Sequence, residues 1–295
     1  MTDSLQRWEY QLSAGFVVRG WMTRPTGKPV IHFVHGNGYC GLVYWQFLSH
    51  LQNDFDLFIS DVQGHGGSDL GGRFHGWNRN ADFIAECWHH FSGHWSGVTK
   101  IAMGHSFGAV LSTLAQAKYS NLFDKMILLD PVFFPANWAR LLMLSEPFGL
   151  LKLSPLARRA KVRRSSWDSK EDAYAYFNGR GMFKGWQPQC LEDYIEHALR
   201  PAKKGLELRC PPEREAAIFG SFPKRLWAHI EKVNCPTDLI YGDDTYPFVK
   251  QSAHAIRLSH PLFRVHQVKG RHCFMQEFPE ATASFVESLA DLEKN

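Results

Sequence analysis

Residues 98–119 read VTKIAMGHSFGAVLSTLAQAKY, and this stretch decides the fold. An apolar run enters the pentapeptide GHSFG at positions 104–108, and apolar residues at helical spacing follow it. A strand, a sharp turn and a helix with serine at the turn are typical of a nucleophile elbow. Gly104 and Gly108 suit so tight a turn, because a Cβ at either position would collide with the neighbouring strand or helix. We therefore predict Ser106 as a nucleophile.

Strands alternate with helices on both sides of the elbow. Apolar runs predict buried strands at 30–34, 55–60, 125–129, 237–241 and 263–268, and helical spacing predicts helices at 42–51, 77–95, 248–258 and 279–292. Two opening strands, 8–11 and 16–22, are predicted to be antiparallel. The alternation predicts an α/β fold with right-handed βαβ units and a mostly parallel central sheet flanked by helices.

The alternation stops between residues 131 and 231, where no buried strand is predicted and helical patches carry many aromatic residues. We predict that residues 1–130 and 232–295 form an α/β core and that residues 131–231 form a helical cap on the carboxyl edge of the sheet. The aromatic content fits the cap's own core or a lipophilic pocket beneath it.

Composition indicates a globular protein that binds neither nucleic acid nor membranes. The 295 residues are 44% hydrophobic and 21% charged, with a net charge of +4. The basic run at 158–164 has no interleaved aromatics and is typical of a solvated helix face. The N-terminal residues do not read as a signal peptide, no apolar run reaches 18 residues, and the six cysteines lack C-x-x-C spacing. We therefore expect reduced thiols and a cytoplasmic location.

Several motifs in chain order make the sequence resemble the α/β-hydrolase superfamily. These are His35-Gly36, the glycine-rich turn DVQGHGGS at 61–68, the elbow, and the late tripeptide Gly270-Arg271-His272. The resemblance covers nearly the whole chain apart from the insertion, and it implies an α/β-hydrolase fold with a helical cap after the sixth strand. Gln63 stands where relatives usually carry arginine, a departure that does not touch the chemistry.

The segment from Asp130-Pro131 to Pro135 and Trp138, with the position of the cap, resembles the haloalkane dehalogenase and epoxide hydrolase branch of that superfamily. Those enzymes use an aspartate nucleophile, whereas this chain has Ser106. Dehalogenase and epoxide chemistry are therefore disfavoured, and hydrolysis of an ester, thioester, lactone, amide or C–C bond remains.

A serine nucleophile needs a base, and the unperturbed pKa of histidine suits that role. The superfamily order of serine, acid and histidine points to His272, which follows the predicted strand 263–268 and precedes the last helix. Other histidines receive other interpretations: His35 and His105 as residues that shape turns, and His65, His89 and His90 as surface or packing residues.

The acid of the triad stays open on the sequence alone. Relatives carry Gly-x-x-Asp after the seventh strand, but here Thr245 occupies that position, and Asp243 and Asp244 come early. Asp130 after the sixth strand is the alternative, because a subset of the dehalogenase branch places its acid there. Each aspartate could instead cap a helix or a turn.

An oxyanion hole requires two N–H donors. The resemblance implies the backbone N–H groups of Phe107 and Asn37, with Gly36, Gly38 and Gly41 allowing the loop to approach a substrate. No phosphate-binding loop, dinucleotide fingerprint or metal-ligand cluster is present in the sequence, so we expect neither cofactor nor metal.

The leading hypothesis is a serine hydrolase acting on a small or medium, largely apolar ester, thioester or lactone, with a small molecule as its partner. A cofactor-free haloperoxidase or perhydrolase, or a C–C bond hydrolase, would use the same triad. A catalytically weak ligand-binding protein with this fold is the non-enzymatic alternative. Fold analogy does not select among these substrates.

Overall fold

A computed structural model describes residues 4–138 and 150–290. Its strands are β1 (Leu5–Gln11), β2 (Val17–Thr23), β3 (Val30–Val34), β4 (Asp56–Ser60), β5 (Lys100–His105), β6 (Lys125–Leu129), β7 (Ser166–Trp167), β8 (Leu199–Pro201), β9 (Leu206–Leu208), β10 (Thr237–Gly242) and β11 (Phe263–Val268). Its α-helices are α1 (Trp45–Leu51), α2 (Trp77–Phe91), α3 (Phe107–Lys118), α4 (Pro155–Lys161), α5 (Lys170–Phe177), α6 (Pro188–Ala198), α7 (Pro212–Phe219), α8 (Leu226–Ile230), α9 (Pro247–Ser259), α10 (Phe274–Glu277) and α11 (Pro279–Ala290).

Eight strands form one sheet in the order β1-β2-β4-β3-β5-β6-β10-β11. The β1–β2 and β2–β4 pairs are antiparallel and the remaining pairs are parallel. The strands β3, β4 and β6 are buried at every residue, which explains why most of their residues are apolar. The predicted α/β fold with a mostly parallel sheet is confirmed.

The helices cover both faces of the sheet with separate hydrophobic clusters. One cluster joins α2 and α3 to the sheet and includes the fully buried Trp88 and Trp95. The other includes Phe47 of α1 and Val286 of α11 on the opposite face. Fully burying an aliphatic or phenyl side chain contributes about 1.5–3 kcal/mol, so these two clusters supply most of the driving force for folding. All six cysteines are buried free thiols.

The insertion between β6 and β10 contains α4 to α8 and a three-stranded antiparallel sheet in the order β7-β9-β8. The insertion, which was predicted to be helical, therefore also contains a small sheet. These strands are two or three residues long, which is too short for an alternating pattern to mark them in the sequence. Buried residues of the insertion join both core clusters, as Tyr194 and Phe222 show. Positions 139–149 of the predicted cap lie outside the described residues.

The topology gathers the candidate site residues at one edge of the sheet. Asn37 follows β3, Ser106 follows β5 and Asp130 follows β6, while His272 comes after β11. Parallel strands end at the same edge, and ligands of open α/β sheets bind there. Among the residues that the structure describes, no helix is long and apolar enough to cross a membrane.

Candidate active site

Ser106 occupies a strained turn between β5 and α3. Its φ of 53° and ψ of −113° lie in a region that non-glycine residues rarely adopt. A Cβ on Gly104 would lie 2.6 Å from the amide nitrogen of Ala109, and one on Gly108 would lie 2.1 Å from the carbonyl oxygen of Val34. The two glycines therefore allow the backbone to close tightly enough to project the serine side chain from the strand end.

His272 contacts both Ser106 and Asp130. Its Nε2 lies 2.9 Å from the Ser106 hydroxyl oxygen, and its Nδ1 lies 2.5 Å from Oδ2 of Asp130. All three residues are buried, with Asp130 completely inaccessible. A serine hydroxyl, an imidazole and a carboxylate in this order form the hydrogen-bonded chain that activates a serine nucleophile.

The Asp130 carboxylate is surrounded by donors. Oδ1 accepts from the Gly242 N–H at 2.9 Å, and Oδ2 accepts from the Thr245 hydroxyl at 2.5 Å as well as facing His272. The residue adopts a φ of 44° immediately after β6, and its own N–H donates to the carbonyl of Ile240 at 2.7 Å. Backbone and side-chain contacts to β10 and its following loop therefore fix the direction of the carboxylate.

Asp244 and Asp243 face other groups than His272. The Asp244 carboxylate lies 3.3 Å from Nε of Arg271, and its side chain is 75% exposed. Oδ1 of Asp243 accepts from the Gly270 N–H at 2.8 Å. Of the three candidate acids, the structure brings the carboxylate of Asp130 to His272, whereas that of Asp244 turns outward to an arginine.

The backbone N–H groups of Phe107 and Asn37 have no hydrogen-bond partner among the described residues. Phe107 is the first residue of α3, so its N–H has no acceptor within the helix. Asn37 lies between Gly36 and Gly38, whose N–H groups donate to Tyr44 and His65 respectively. The Phe107 N–H lies at the N-terminus of α3, where the helix macrodipole also favours a negative charge.

Buried histidines hold the loop that carries Asn37. Nε2 of His65 accepts from the Gly38 N–H at 3.1 Å, while its Nδ1–H donates to the Gln63 carbonyl at 3.1 Å. Nδ1–H of His35 donates to the Gly36 carbonyl at 2.7 Å, and its Nε2 accepts from Val62. Burial lowers the pKa of both imidazoles, and each Nε2 accepts from a backbone N–H, as only a neutral ring can. The sequence did not indicate this role of His65, which was interpreted as a surface or packing residue. The same interpretation fits His89 and His90, because both are exposed.

The insertion contacts this loop directly through α7. A Cβ on Gly38 would lie 3.2 Å from the carboxyl carbon of Glu215, and the Asn37 side chain donates to the Glu215 carbonyl at 3.3 Å. Nη1 of Arg163 forms a 2.6 Å ion pair with Glu215, and Nη2 contacts the hydroxyl of Tyr194 at 3.3 Å. Nothing local in the sequence marks these residues, since their partners are far apart along the chain.

Aromatic side chains extend from His272 towards the insertion. The ring of Tyr246 lies 5.2 Å from the imidazole, Phe248 stacks on Tyr246 at 5.5 Å, and Phe134 stacks on Phe248 at 5.0 Å. Other aromatics of the insertion pack on one another, as Trp167 does on Phe177. Part of the aromatic content therefore forms the core of the insertion, and another part lies near His272.

A sequence model described as the alpha/beta hydrolase family matches residues 33–285. The chain belongs to the alpha/beta hydrolase family. In the described ranges, no group of three or more histidine, cysteine, aspartate or glutamate side chains is placed to hold a metal ion.

Individual relatives of this alpha/beta hydrolase are distant. The abhydrolase domain-containing proteins AFT2-1 and ACTT2 of Alternaria alternata are each 30% identical to it over 112 residues, which is 38% of this chain and 38% of each relative. The chain thus aligns with well under half the length of the curated relatives that it matches.

Solved structures match over almost the whole chain. E-2-(acetamidomethylene)succinate hydrolase superimposes with a TM-score of 0.76 at 21% identity, covering 96% of this chain and 98% of that one. The thioesterase domain from the curacin biosynthetic pathway gives a TM-score of 0.72 at 15% identity, covering 97% and 100%. At these identities, the likeness shows a shared fold.

Proposed function

We propose that this protein is a serine hydrolase that cleaves a small or medium, largely apolar carboxylic ester, thioester or lactone through an acyl-enzyme on Ser106. The observation that carries the proposal is the continuous chain from Asp130 through His272 to the Ser106 hydroxyl, with contacts of 2.5 and 2.9 Å. The strained elbow supports it, because a φ of 53° at a serine persists only where the surrounding structure imposes it.

The proposed reaction begins with attack of Ser106 Oγ on the acyl carbonyl carbon. Nε2 of His272 takes the hydroxyl proton, and Asp130 keeps the Nδ1–H oriented and stabilises the imidazolium. The negative charge on the carbonyl oxygen is stabilised by the N–H groups of Phe107 and Asn37.

Collapse of the tetrahedral intermediate breaks the bond to the leaving group, which takes the proton from His272. The acyl group then remains on Ser106 as an ester. His272 next deprotonates a water molecule, whose attack on that ester releases the carboxylic acid and returns the proton to Ser106. The two half-reactions therefore use the same residues in the same places.

Aromatic contacts near His272 support an apolar substrate. Tyr246, Phe248 and Phe134 form a stacked series that starts 5.2 Å from the imidazole. Ligand sites lined by such side chains gain affinity by removing apolar surface from water. Among structures of this fold, one is a thioesterase domain, which fits the thioester option without selecting it.

Hydrolysis of p-nitrophenyl acetate, butyrate, octanoate and their thioester counterparts tests the proposal. We expect turnover in which acylation releases p-nitrophenol, or p-nitrothiophenol from a thioester, before water releases the acid. Ser106→Ala should lower kcat by about 10⁶-fold, whereas Ser112→Ala, a change at a buried serine of the helix that follows the elbow, should not. Equal turnover by wild type and Ser106→Ala would overturn the proposal.

A further inference from the structure

A chain of three buried hydrogen bonds joins the Asn37 loop to the backbone of His272. The Gly36 N–H donates to the hydroxyl oxygen of Tyr44 at 3.1 Å, and that hydroxyl lies 2.7 Å from Nδ1 of His105. Nε2 of His105 lies 2.8 Å from the carbonyl oxygen of His272. Tyr44 and His105 are both buried, at 1% and 0% exposure, so water does not compete for these bonds.

Only one arrangement of protons gives every group in this chain a partner. A carbonyl accepts only, so His105 must carry its proton on Nε2 and donate to His272. Its Nδ1 is then an acceptor, and the Tyr44 hydroxyl must donate to it. The Tyr44 oxygen is left to accept from Gly36, whose N–H is a donor only. The geometry thus selects the neutral Nε2–H tautomer of His105.

A positive charge on His105 would disrupt the hydrogen-bonded chain and would oppose a positive charge on the neighbouring His272. The imidazoles of His105 and His272 have ring centres 4.8 Å apart. Burial lowers the pKa of His105 well below its ordinary value, and the nearby His272 lowers it further. A neutral His105 allows His272 to become an imidazolium during turnover without a like charge beside it.

We propose that Tyr44 and His105 are positioning residues, which set the distance between the oxyanion donor at Asn37 and the catalytic imidazole of His272. The inference rests on the proposed function, because it assigns these residues a part in the same reaction. His105 suits this role because it directly precedes Ser106, so one side chain spans the space between the nucleophile, the loop and the base.

The backbone geometry shows how closely the loop is held. A Cβ on Gly36 would lie 2.9 Å from Nδ1 of His105 and 3.1 Å from the Tyr44 oxygen. Glycine at position 36 is therefore required for the loop to approach Tyr44 and His105 this closely. A shift of about 1 Å in a catalytic group can lower a rate about a hundredfold, so small movements at Gly36 matter for catalysis.

Tyr44→Phe removes the central hydroxyl, and Tyr39→Phe is its matched control. Tyr39 is also buried, but among the described residues its hydroxyl has one hydrogen-bond partner, the Cys273 sulfur at 3.8 Å, and it lies outside the hydrogen-bonded chain. With a p-nitrophenyl ester, we expect Tyr44→Phe to lower kcat about tenfold to a hundredfold while KM changes less than about twofold. Tyr39→Phe should keep the wild-type kcat.

The proton arrangement can be measured without any substitution. In ¹⁵N-histidine-labelled wild-type protein, NMR should show His105 as the neutral Nε2–H tautomer throughout about pH 5 to 8, where an ordinary histidine titrates. An Nδ1–H tautomer, or protonation in this range, would overturn the inference even if the Tyr44 variant failed to fold.

The outcomes also separate the inference from the proposed function. An inactive wild type whose Ser106 is inert would remove the proposed function and this inference with it. An active wild type in which Tyr44→Phe matches Tyr39→Phe in kcat would overturn the inference alone. A fall in kcat confined to Tyr44→Phe, with the predicted tautomer, would support both.

Discussion

The hydroxyl of Thr245 donates a 2.5 Å hydrogen bond to Oδ2 of Asp130, the carboxylate oxygen that also faces His272. Thr245 stands at the position after β10 where the superfamily pattern places the acid, and Asp130 supplies the carboxylate from the neighbouring strand β6. The carboxylate that faces His272 therefore comes from the end of β6, and the loop after β10 supplies a donor that orients it.

Asp130→Asn should lower kcat by about 10⁴-fold, because an amide cannot stabilise the imidazolium and can favour the wrong tautomer of His272. Asparagine tolerates the positive φ of this position, so the substitution tests the charge rather than the backbone. Steady-state ester hydrolysis provides the measurement. Asp244→Asn is the control and should retain wild-type kcat; the reverse ranking of the two variants would assign the acid to Asp244.

Thr245→Val should lower kcat by about tenfold, because it removes one donor from Asp130 and loosens its carboxylate while preserving side-chain shape. Thr237→Val is the matched control, because Thr237 is also a buried threonine but lies on β10 itself, where its hydroxyl donates to the Cys235 carbonyl. Equal kcat values for the two variants would show that the Thr245 hydroxyl does not orient the acid.

Gly108→Ala should destabilise the fold by about 3 kcal/mol or more, since the added Cβ would lie 2.1 Å from the Val34 carbonyl oxygen. Urea unfolding followed by circular dichroism measures the loss. Gly93→Ala is the control, because nothing described lies within 4 Å of a Cβ there and its φ is not positive. A Gly108→Ala protein as stable as the control would contradict the close approach of α3 to β3.

Asp238 should make the free energy of unfolding depend on pH under acidic conditions. Burial raises the pKa of its carboxyl, but hydrogen bonds from His266, Arg264 and Lys125 outweigh burial and lower the pKa from 3.8 to about 2. The folded protein therefore holds this group ionised where the unfolded chain protonates it. Its contribution is present above about pH 4 and is lost as the pH falls towards 2.

Asp238→Asn should remove this dependence and cost about 3–5 kcal/mol at neutral pH, because Lys125 would remain buried without its counter-ion. Urea unfolding between about pH 2 and 7 measures both effects. Asp54→Asn at an exposed position should change neither. Parallel stability curves for wild type and Asp238→Asn below pH 4 would contradict the assignment.

Local patterns in the sequence were enough to predict the strands of the eight-stranded sheet and the elbow. The run at 30–34 matches β3 in both bounds, and GHSFG places Ser106 between β5 and α3. The choice of acid could not be made in this way. Asp130 and Asp244 follow β6 and β10, which are neighbours in the sheet, so both lie at the correct edge. Only the direction of each side chain separates them.

Long-range contacts explain the remaining omissions. His65 reaches the Gly38 amide and His105 reaches the His272 carbonyl, and neither partner is near in sequence. In the sequence alone, the residues around His65 and His105 look like ordinary turns. The short strands of the insertion were missed for a related reason, since β7 and β9 are defined by pairing with each other and not by periodicity.

Labelling with a fluorophosphonate tests the central claim most directly, because the probe forms a bond only with an activated nucleophile. Wild type, Ser106→Ala and Ser112→Ala would be treated in parallel and examined by intact-protein and peptide mass spectrometry. The account predicts one phosphonyl group per chain, located on Ser106, in wild type and in Ser112→Ala, and none in Ser106→Ala. Folded wild-type protein that remains unlabelled, or equal labelling of Ser106→Ala, would contradict it.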